Sequence, residues 1–344
     1  MSERNDDRDE IGVNLKTNSE LVTRYLRSMC GSVFTESTAK TYCSFLRGYI
    51  RFLADRSLSI FTAEDKDVLA YMKLRAQNGR RQRTIAGDKT AITGLYKWIR
   101  LESDNDAQID YLFLKSIDPS RFLTPPPIER EALDPDELNA LYDAFETRRD
   151  RLIATTGVET GGRSIDLREL RIDDVDFGEQ EIVLPDQKTG GTNTIPISDV
   201  LATELKHWLK ICRPIYNGSE DHDYLFPSNS GDQLTGGYLL TIVQNAAEKA
   251  GIQEVIGETR ITEREREVRG VESDVRQWKK VNVHVLRHTF NRILEDAGLP
   301  LKSRRDALNH ECSETTEKYY SSDSTEYKDL IRDLLHDNQP SEED

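Results

Sequence analysis

A mainly α-helical chain in two domains is what this sequence predicts, with one small antiparallel sheet in its second half. Three observations carry that expectation. Residues 42–53 repeat apolar side chains at helical spacing, four prolines crowd residues 119–127, and a single glycine-turn hairpin pattern spans residues 181–197. The length of 344 residues fits two domains and a sizeable core.

The segment up to about residue 118 reads as about four helices. Tyr42, Phe45, Leu46, Tyr49, Ile50 and Leu53 form one apolar stripe. Thr62, with Asp65 after it, reads as the N-terminal cap of a helix through Val68, Leu69 and Met72. Thr84 opens another, whose apolar face is Ile92, Leu95, Tyr96 and Ile99. Pro119 to Pro127 then favours an extended linker. Asp134-Pro135-Asp136-Glu137 announces the next helix, with an Asp cap, Pro in the first turn and Glu closing the box. Helices are expected at about 135–148, 150–157, 199–211, 236–250 (stopped by Gly251), 285–297, 302–309 and 324–336. Glu181–Pro185 and Asn193–Ile197 flank Lys188-Thr189-Gly190-Gly191 as a hairpin. Residues 254–280 are charged and weakly periodic, which reads as a loop or irregular hairpin, and the acidic end from Gln339 reads as a tail.

Composition excludes several classes. Apolar residues make up 36% and charged residues 32%. No apolar run approaches the roughly 18 residues of a membrane span, and the polar N-terminus does not resemble a secretory signal. A cytoplasmic protein is expected. Four separated cysteines lack any CxxC pair, so reduced thiols are expected in place of a zinc site.

The formal net charge of −15 argues against nucleic acid as a partner until charge is read locally. Residues 74–100 hold seven basic side chains against one acid, Asp88, and residues 276–292 hold five basic side chains and no acid. The first stretch offers Arg80, Arg81, Arg83, Lys89 and Lys97 to a phosphate backbone, and the second Arg276, Lys279 and Lys280. With 31 Arg against 16 Lys and an excess of acids, the composition suits a protein living in high salt. A halophilic archaeon, or its virus or plasmid, is the source this suggests.

Four separated pieces carry chemical potential. Thr160-Gly161-Gly162-Arg163 is followed by Asp166, and its glycines allow close approach of the backbone to a ligand. Lys188 sits in the hairpin turn. His284 and Arg287, three apart on a helix, share a face within His284-Val285-Leu286-Arg287-His288-Thr289-Phe290. Leu308-Asn309-His310 precedes Tyr319-Tyr320. Two guanidiniums can clamp a phosphodiester and neutralise the extra charge of its transition state. An imidazole can move a phenolic proton, an ammonium can protonate a departing alkoxide, and a tyrosine can act as nucleophile. No carboxylate cluster of metal-binding spacing accompanies the set, so the arginines would stand in for a metal ion and no cofactor is expected. Such a set suits phosphoryl transfer without hydrolysis.

In order and spacing these pieces resemble the signature boxes of the tyrosine recombinase (phage integrase) family. Arg163 matches the first catalytic arginine, with Asp166 at the acidic supporting position and Leu170 and Asp174 in register. Lys188 is similar to the hairpin lysine, His284 and Arg287 match HxxR, His310 matches the LGH histidine with Asn309 replacing glycine, and Thr315-Thr316-x-x-Tyr319 matches the nucleophile box. Tyr320 beside Tyr319 leaves two candidate nucleophiles, and the nine-residue spacing from His310 favours Tyr319. Val158-Glu159-Thr160-Gly161-Gly162 departs from the more hydrophobic approach usual before the first arginine.

The resemblance implies the DNA breaking-rejoining enzyme fold, closed as a C-shaped clamp on duplex DNA. It would comprise a helical core-binding domain (18–118), a linker (119–132), an α-rich catalytic domain (133–337) with a small antiparallel sheet, and a tail (338–344). It further implies a site-specific recombinase acting through a 3′-phosphotyrosine, self-associated as a tetramer on double-stranded DNA, with accessory DNA-bending proteins as further partners and no membrane. Tyr327, Leu330, Ile331 and Leu334 resemble the C-terminal segment that docks on a neighbouring protomer. The competing expectations are a type IB topoisomerase-like enzyme and a catalytically silent DNA-binding accessory protein.

Overall fold

Most helices here begin on a side chain that answers the unpaired amides of a first turn. In the computed structural model, which describes residues 3–102, 107–185, 191–261, 266–267 and 270–308 (side chains from 16 onward), that rule sets most boundaries. Thr35 caps α2 (Glu36–Ala54), its hydroxyl accepting from the Thr38 amide at 3.2 Å. α1 (Glu3–Met29) precedes it, and α3 (Asp65–Gln77), α4 (Gln82–Glu102) and α5 (Tyr111–Ser116) follow. Thr62 does not cap α3. Its hydroxyl accepts from the Ser59 amide at 2.9 Å, and Glu64 is the cap, in a reciprocal box with Asp67.

The chain falls into two units, residues 1–128 with 258–276, and residues 129–257 with 277–344. In the first, the two sequence stripes form the core. Leu46, Tyr49, Ile50 and Leu53 of α2 and Ile92, Leu95, Tyr96 and Ile99 of α4 are all buried, with Tyr25 of α1, Val68 and Met72. The Tyr49 and Tyr96 hydroxyls bond at 2.9 Å, and Tyr96 donates on to the Ile60 carbonyl at 3.1 Å. This satisfies two phenols inside apolar surroundings. Pro119–Arg121 is a single 3-10 turn capped by Asp118, and the proline-rich stretch beyond it has no regular structure.

In the second unit the Asp134–Glu137 box opens α6 (Pro135–Ala144) as expected, and α7 (Arg148–Thr160) and α8 (Ser164–Glu169) follow. Strands β1 (Val175–Asp176), β2 (Glu181–Pro185) and β3 (Thr192–Pro196) form an antiparallel sheet in that order, with Ile182 opposite both Val175 and Ile195. The next expected helix is shorter than the periodicity suggests. α9 ends at His207 (Asp199–His207), and Trp208–Cys212 continue as a π-helical turn. Trp208, the first residue of that turn, is fully buried, and its indole N–H donates to the Leu225 carbonyl at 2.8 Å. α10 (Gly236–Lys249) leads to a second hairpin, β4 (Val255–Arg260) with β5 (Val275–Lys279). α11 (Val283–Asp296) and α12 (Leu301–Ala307) complete the described fold. Gly298 ends α11 as expected, at φ +79° with its amide donating to the Glu295 carbonyl. The expected helix at 324–336 and the tail lie outside the described residues.

Ile195 of β3 packs with Phe290 and Leu294 of α11 and with Leu299, Ala307 and Leu308. This small cluster brings strand, helix and the end of α12 together. Cys30, Cys43 and Cys212 are free thiols.

Candidate active site

The arginines at 163 and 287, far apart in sequence, are brought together by two helix ends. α7 terminates at Gly161, whose φ of +63° suits glycine. A Cβ there would run into the Phe290 ring and come within 2.9 Å of Leu308, so a side chain is excluded twice over. The close approach these glycines permit is therefore to the protein's own core: a Cβ on Gly162 would likewise meet Leu167 at 3.1 Å. The expectation that they admit a ligand's approach is corrected on that ground.

Arg163 follows as the residue before α8. Its backbone N–H donates to Asp166 Oδ2 at 2.8 Å, while its guanidinium lies 3.9 Å from the same oxygen and stays one-third exposed. Arg287 is buried on α11. One of its nitrogens donates to the Gly161 carbonyl at 2.6 Å, the other to the Leu308 carbonyl. Both acceptors stand at helix C-termini, where the peptide dipoles favour a cation. Burial lowers the Arg287 pKa to about 10, and the neighbouring Arg163 charge pushes the same way while Asp166 opposes both. The guanidinium thus stays charged at neutral pH. Burial raises the Asp166 pKa, against the Arg163 amide and the two arginine charges. Its Oδ1 has no hydrogen-bond partner among the described residues.

His284 lies one turn before Arg287 but is exposed at the start of α11, where Asn282 caps the helix by accepting from the His284 amide at 2.8 Å. Its ring meets His288 edge-on, with centroids 4.6 Å apart. Burial lowers the His288 pKa, with Arg130 and then Arg287 adding to the effect. Arg130 also lies over the Trp278 ring at 5.6 Å. Sequence reading missed Arg130, because only the folded chain brings it to α11.

Lys188, His310 and Tyr319, with Asn309 and Tyr320, lie outside the described residues. β2 and β3 flank the segment bearing Lys188, and α12 ends at Ala307, three residues before His310. The Asn193 side-chain amide donates to the Ala307 carbonyl at 2.8 Å, tying β3 to the end of α12.

The basic stretches divide by role. Arg83, Lys97 and Arg276 are exposed. Arg81 donates to the Pro126 carbonyl at 3.0 Å and the Thr259 hydroxyl at 2.9 Å, and Arg80 sits half-buried near Asp88. Lys89 donates to the carbonyls of Lys115 and Ile117 at 2.9 and 2.6 Å, closing the C-terminus of α5. Lys279 pairs with Glu248, and Lys280 with Glu137. No group of His, Cys, Asp and Glu arranged to hold a metal ion occurs among the described residues, and no described helix is long and apolar enough to cross a membrane.

The family model for the phage integrase family matches residues 131–326, more than half of the chain. The chain belongs to the phage integrase family. The N-terminal SAM-like domain model of phage integrases matches residues 23–103 as well. Among curated relatives of this integrase-family chain, tyrosine recombinase XerC of Staphylococcus saprophyticus is 23% identical over 292 residues, covering 83% of this chain and 86% of the relative. Its Staphylococcus aureus counterpart is 24% identical over 293 residues, with the same coverage. Among solved structures, XerH site-specific recombinase bound to difH substrate in a pre-cleavage complex superposes with a TM-score of 0.62 at 19% identity, covering 86% of this chain and 90% of that one. A lambda integrase tetramer bound to a Holliday junction gives 0.60 at 17% identity, covering 88% and 79%. These superpositions establish the shared fold: a helical N-terminal domain and an α-rich domain with a small antiparallel sheet.

Proposed function

We infer that this integrase-family chain is a site-specific DNA recombinase that exchanges strands through a phosphotyrosine on Tyr319. The observation that carries the reading is the pair of guanidiniums, Arg163 and Arg287, gathered around one buried carboxylate, Asp166. Two guanidiniums brought to one place can bind a phosphodiester and its more negative transition state. The named relatives, tyrosine recombinases throughout, weigh against a topoisomerase or a silent accessory protein.

In this mechanism Arg163 and Arg287 hold the non-bridging oxygens of the scissile phosphate. The Tyr319 oxygen attacks phosphorus, forming a 3′-phosphotyrosine while the bond to the 5′ oxygen breaks. Lys188 gives that oxygen its proton, and His284 and His310 hydrogen-bond the phosphate and relay the phenolic proton. A 5′-hydroxyl from a second duplex then reverses the step, so the bond energy is conserved and no water is consumed. Lys188, His310 and Tyr319 enter on their sequence boxes. We assign residues 18–118 to core DNA binding, 133–337 to catalysis, and the exposed Arg83, Lys97 and Arg276 to phosphate contacts. A tetramer on DNA belongs to the same reading, as does a cytoplasmic location.

The test selects bound sites from random duplexes and then offers a nicked version of the best site, from which the cleaved end diffuses away. A covalent protein–DNA adduct, and exchange between two labelled duplexes, are expected. Binding with no adduct would instead support the accessory reading, and an adduct without exchange the topoisomerase reading.

A further inference from the structure

Glu159 is the acidic residue in the departure from the usual hydrophobic approach to Arg163. It lies on the last turn of α7, two residues before Gly161. Its carboxylate accepts two hydrogen bonds, from the Ser198 amide and the Ser198 hydroxyl, each at 2.8 Å. Ser198 is itself buried, and its hydroxyl accepts from the Leu201 amide at 3.0 Å, capping α9. Glu159 therefore clips together the end of the helix that delivers Arg163, the exit of β3 and the start of α9. Charge-assisted bonds of this kind are short and directional. The residue is half-buried, yet burial of its carboxyl pushes the pKa up to about 7. A carboxylate that spends both oxygens on one buried serine of another element points to a geometric task.

The other end of β3 is pinned too, by the bond from Asn193 to the Ala307 carbonyl. Between the two pins Ile195 packs on Phe290, the residue that also abuts Gly161. Strand β3 is thus fixed at both ends to the helix termini whose carbonyls hold Arg287.

Resting on the recombinase reading above, we propose that Glu159 is a positioning residue. By clipping Ser198 to the last turn of α7, it fixes β3 against the Gly161–Arg163 segment and so sets the arginine pair for cleavage. It touches no substrate. Its loss should therefore leave DNA affinity intact and slow the chemical step.

The experiment measures single-turnover adduct formation on the nicked selected site, together with DNA affinity. Glu159→Leu should cleave about tenfold more slowly with affinity unchanged, since small misplacements of reacting groups are costly. Glu159→Gln, which keeps an acceptor for the Ser198 amide, should recover most of the rate. Asn193→Ala should slow cleavage in the same sense, and it carries the test if Glu159→Leu does not fold. An unchanged rate in Glu159→Leu, or a rate in Glu159→Gln as low as in Glu159→Leu, overturns the proposal. So does a loss of affinity that accounts for the loss of rate. A wild-type chain that binds its site and forms no adduct would instead defeat the recombinase reading, a result separable from either.

Discussion

Two buried carboxylates, each beside arginines, behave differently in the two halves of this molecule. In the N-terminal unit Asp88 is fully buried, and Arg75 answers both of its oxygens, Nε at 2.8 Å and a terminal nitrogen at 3.3 Å. In the C-terminal unit Asp166 receives the Arg163 amide on one oxygen, while its other oxygen has no hydrogen-bond partner among the described residues. Arg287 gives one bond from each terminal nitrogen to a carbonyl instead. The first arrangement is a closed pair that holds α3 to α4. The second holds Arg287 through neutral carbonyls and brings Arg163 beside the same carboxylate. A closed pair supports a fold; an open one can receive a phosphate.

The largest effect that sharpens this contrast is on cleavage. Arg287→Ala should slow adduct formation by about 100- to 1,000-fold, the usual consequence of removing one charge-stabilising donor in a water-poor site. It should also lower the melting temperature, because the Gly161 and Leu308 carbonyls lose their donor. Arg163→Ala should slow the same step by about 100-fold with little change in stability, since its guanidinium is one-third exposed. Quenched single-turnover assays and melting curves on the same preparations separate the two.

Asp88→Ala should show the reverse profile. Breaking a buried pair by removing one partner is destabilising and should cost about 3 kcal/mol, seen as a shifted urea midpoint of the N-terminal transition. The cleavage rate of bound complexes should not change. If Asp88→Ala and Arg163→Ala had the same profile, the distinction between closed and open sets would fail.

Much of the fold was legible from local sequence. The α2 and α4 stripes, the Asp134–Glu137 box, the β2–β3 pattern and the glycine that ends α11 depend on neighbours within a few residues, where spacing is informative. What escaped was non-local or weakly patterned. Much of α1 is polar, and its buried Leu21, Val22 and Tyr25 fall near its end. The β4–β5 hairpin was legible only as one of two readings of residues 254–280, a loop or an irregular hairpin, because its charged residues gave no strand bounds. In the site, the boxes located Arg163, His284 and Arg287, but nothing in the string showed that Glu159 would meet Ser198, 39 residues on. Nor could it show that Lys279 and Lys280, in a stretch free of acids, would be answered by Glu248 and Glu137. Linear charge counts measure opportunity, and folding assigns the partners.

Glu159 gives a smaller, pH-dependent effect. Its folded pKa of about 7 lies above the ordinary 4.5, so between those values the folded state binds more protons than the unfolded one. Stability contributed by this group therefore falls as pH rises from about 4.5 to about 7. Glu159→Gln should flatten that part of the curve and gain stability relative to wild type towards pH 8, which urea titrations at several pH values would reveal.

The smallest effects concern phosphate contacts. Arg83→Ala should reduce the salt dependence of DNA binding by about one unit of log–log slope. Lys89→Ala should leave that slope alone, because Lys89 is committed to the α5 carbonyls. Arg80→Ala with Arg81→Ala should weaken binding and lower the slope. An unchanged slope would mean that neither side chain contacts phosphate.

The central claim is that the open arginine set serves strand transfer by Tyr319. Tyr319→Phe, tested on the nicked selected site, addresses it most directly, because it keeps the ring and removes the one oxygen that attacks phosphorus. The variant should bind the site with wild-type affinity and form no covalent adduct, while Tyr320→Phe still forms one. An adduct with Tyr319→Phe, or its loss only with Tyr320→Phe, would contradict the account.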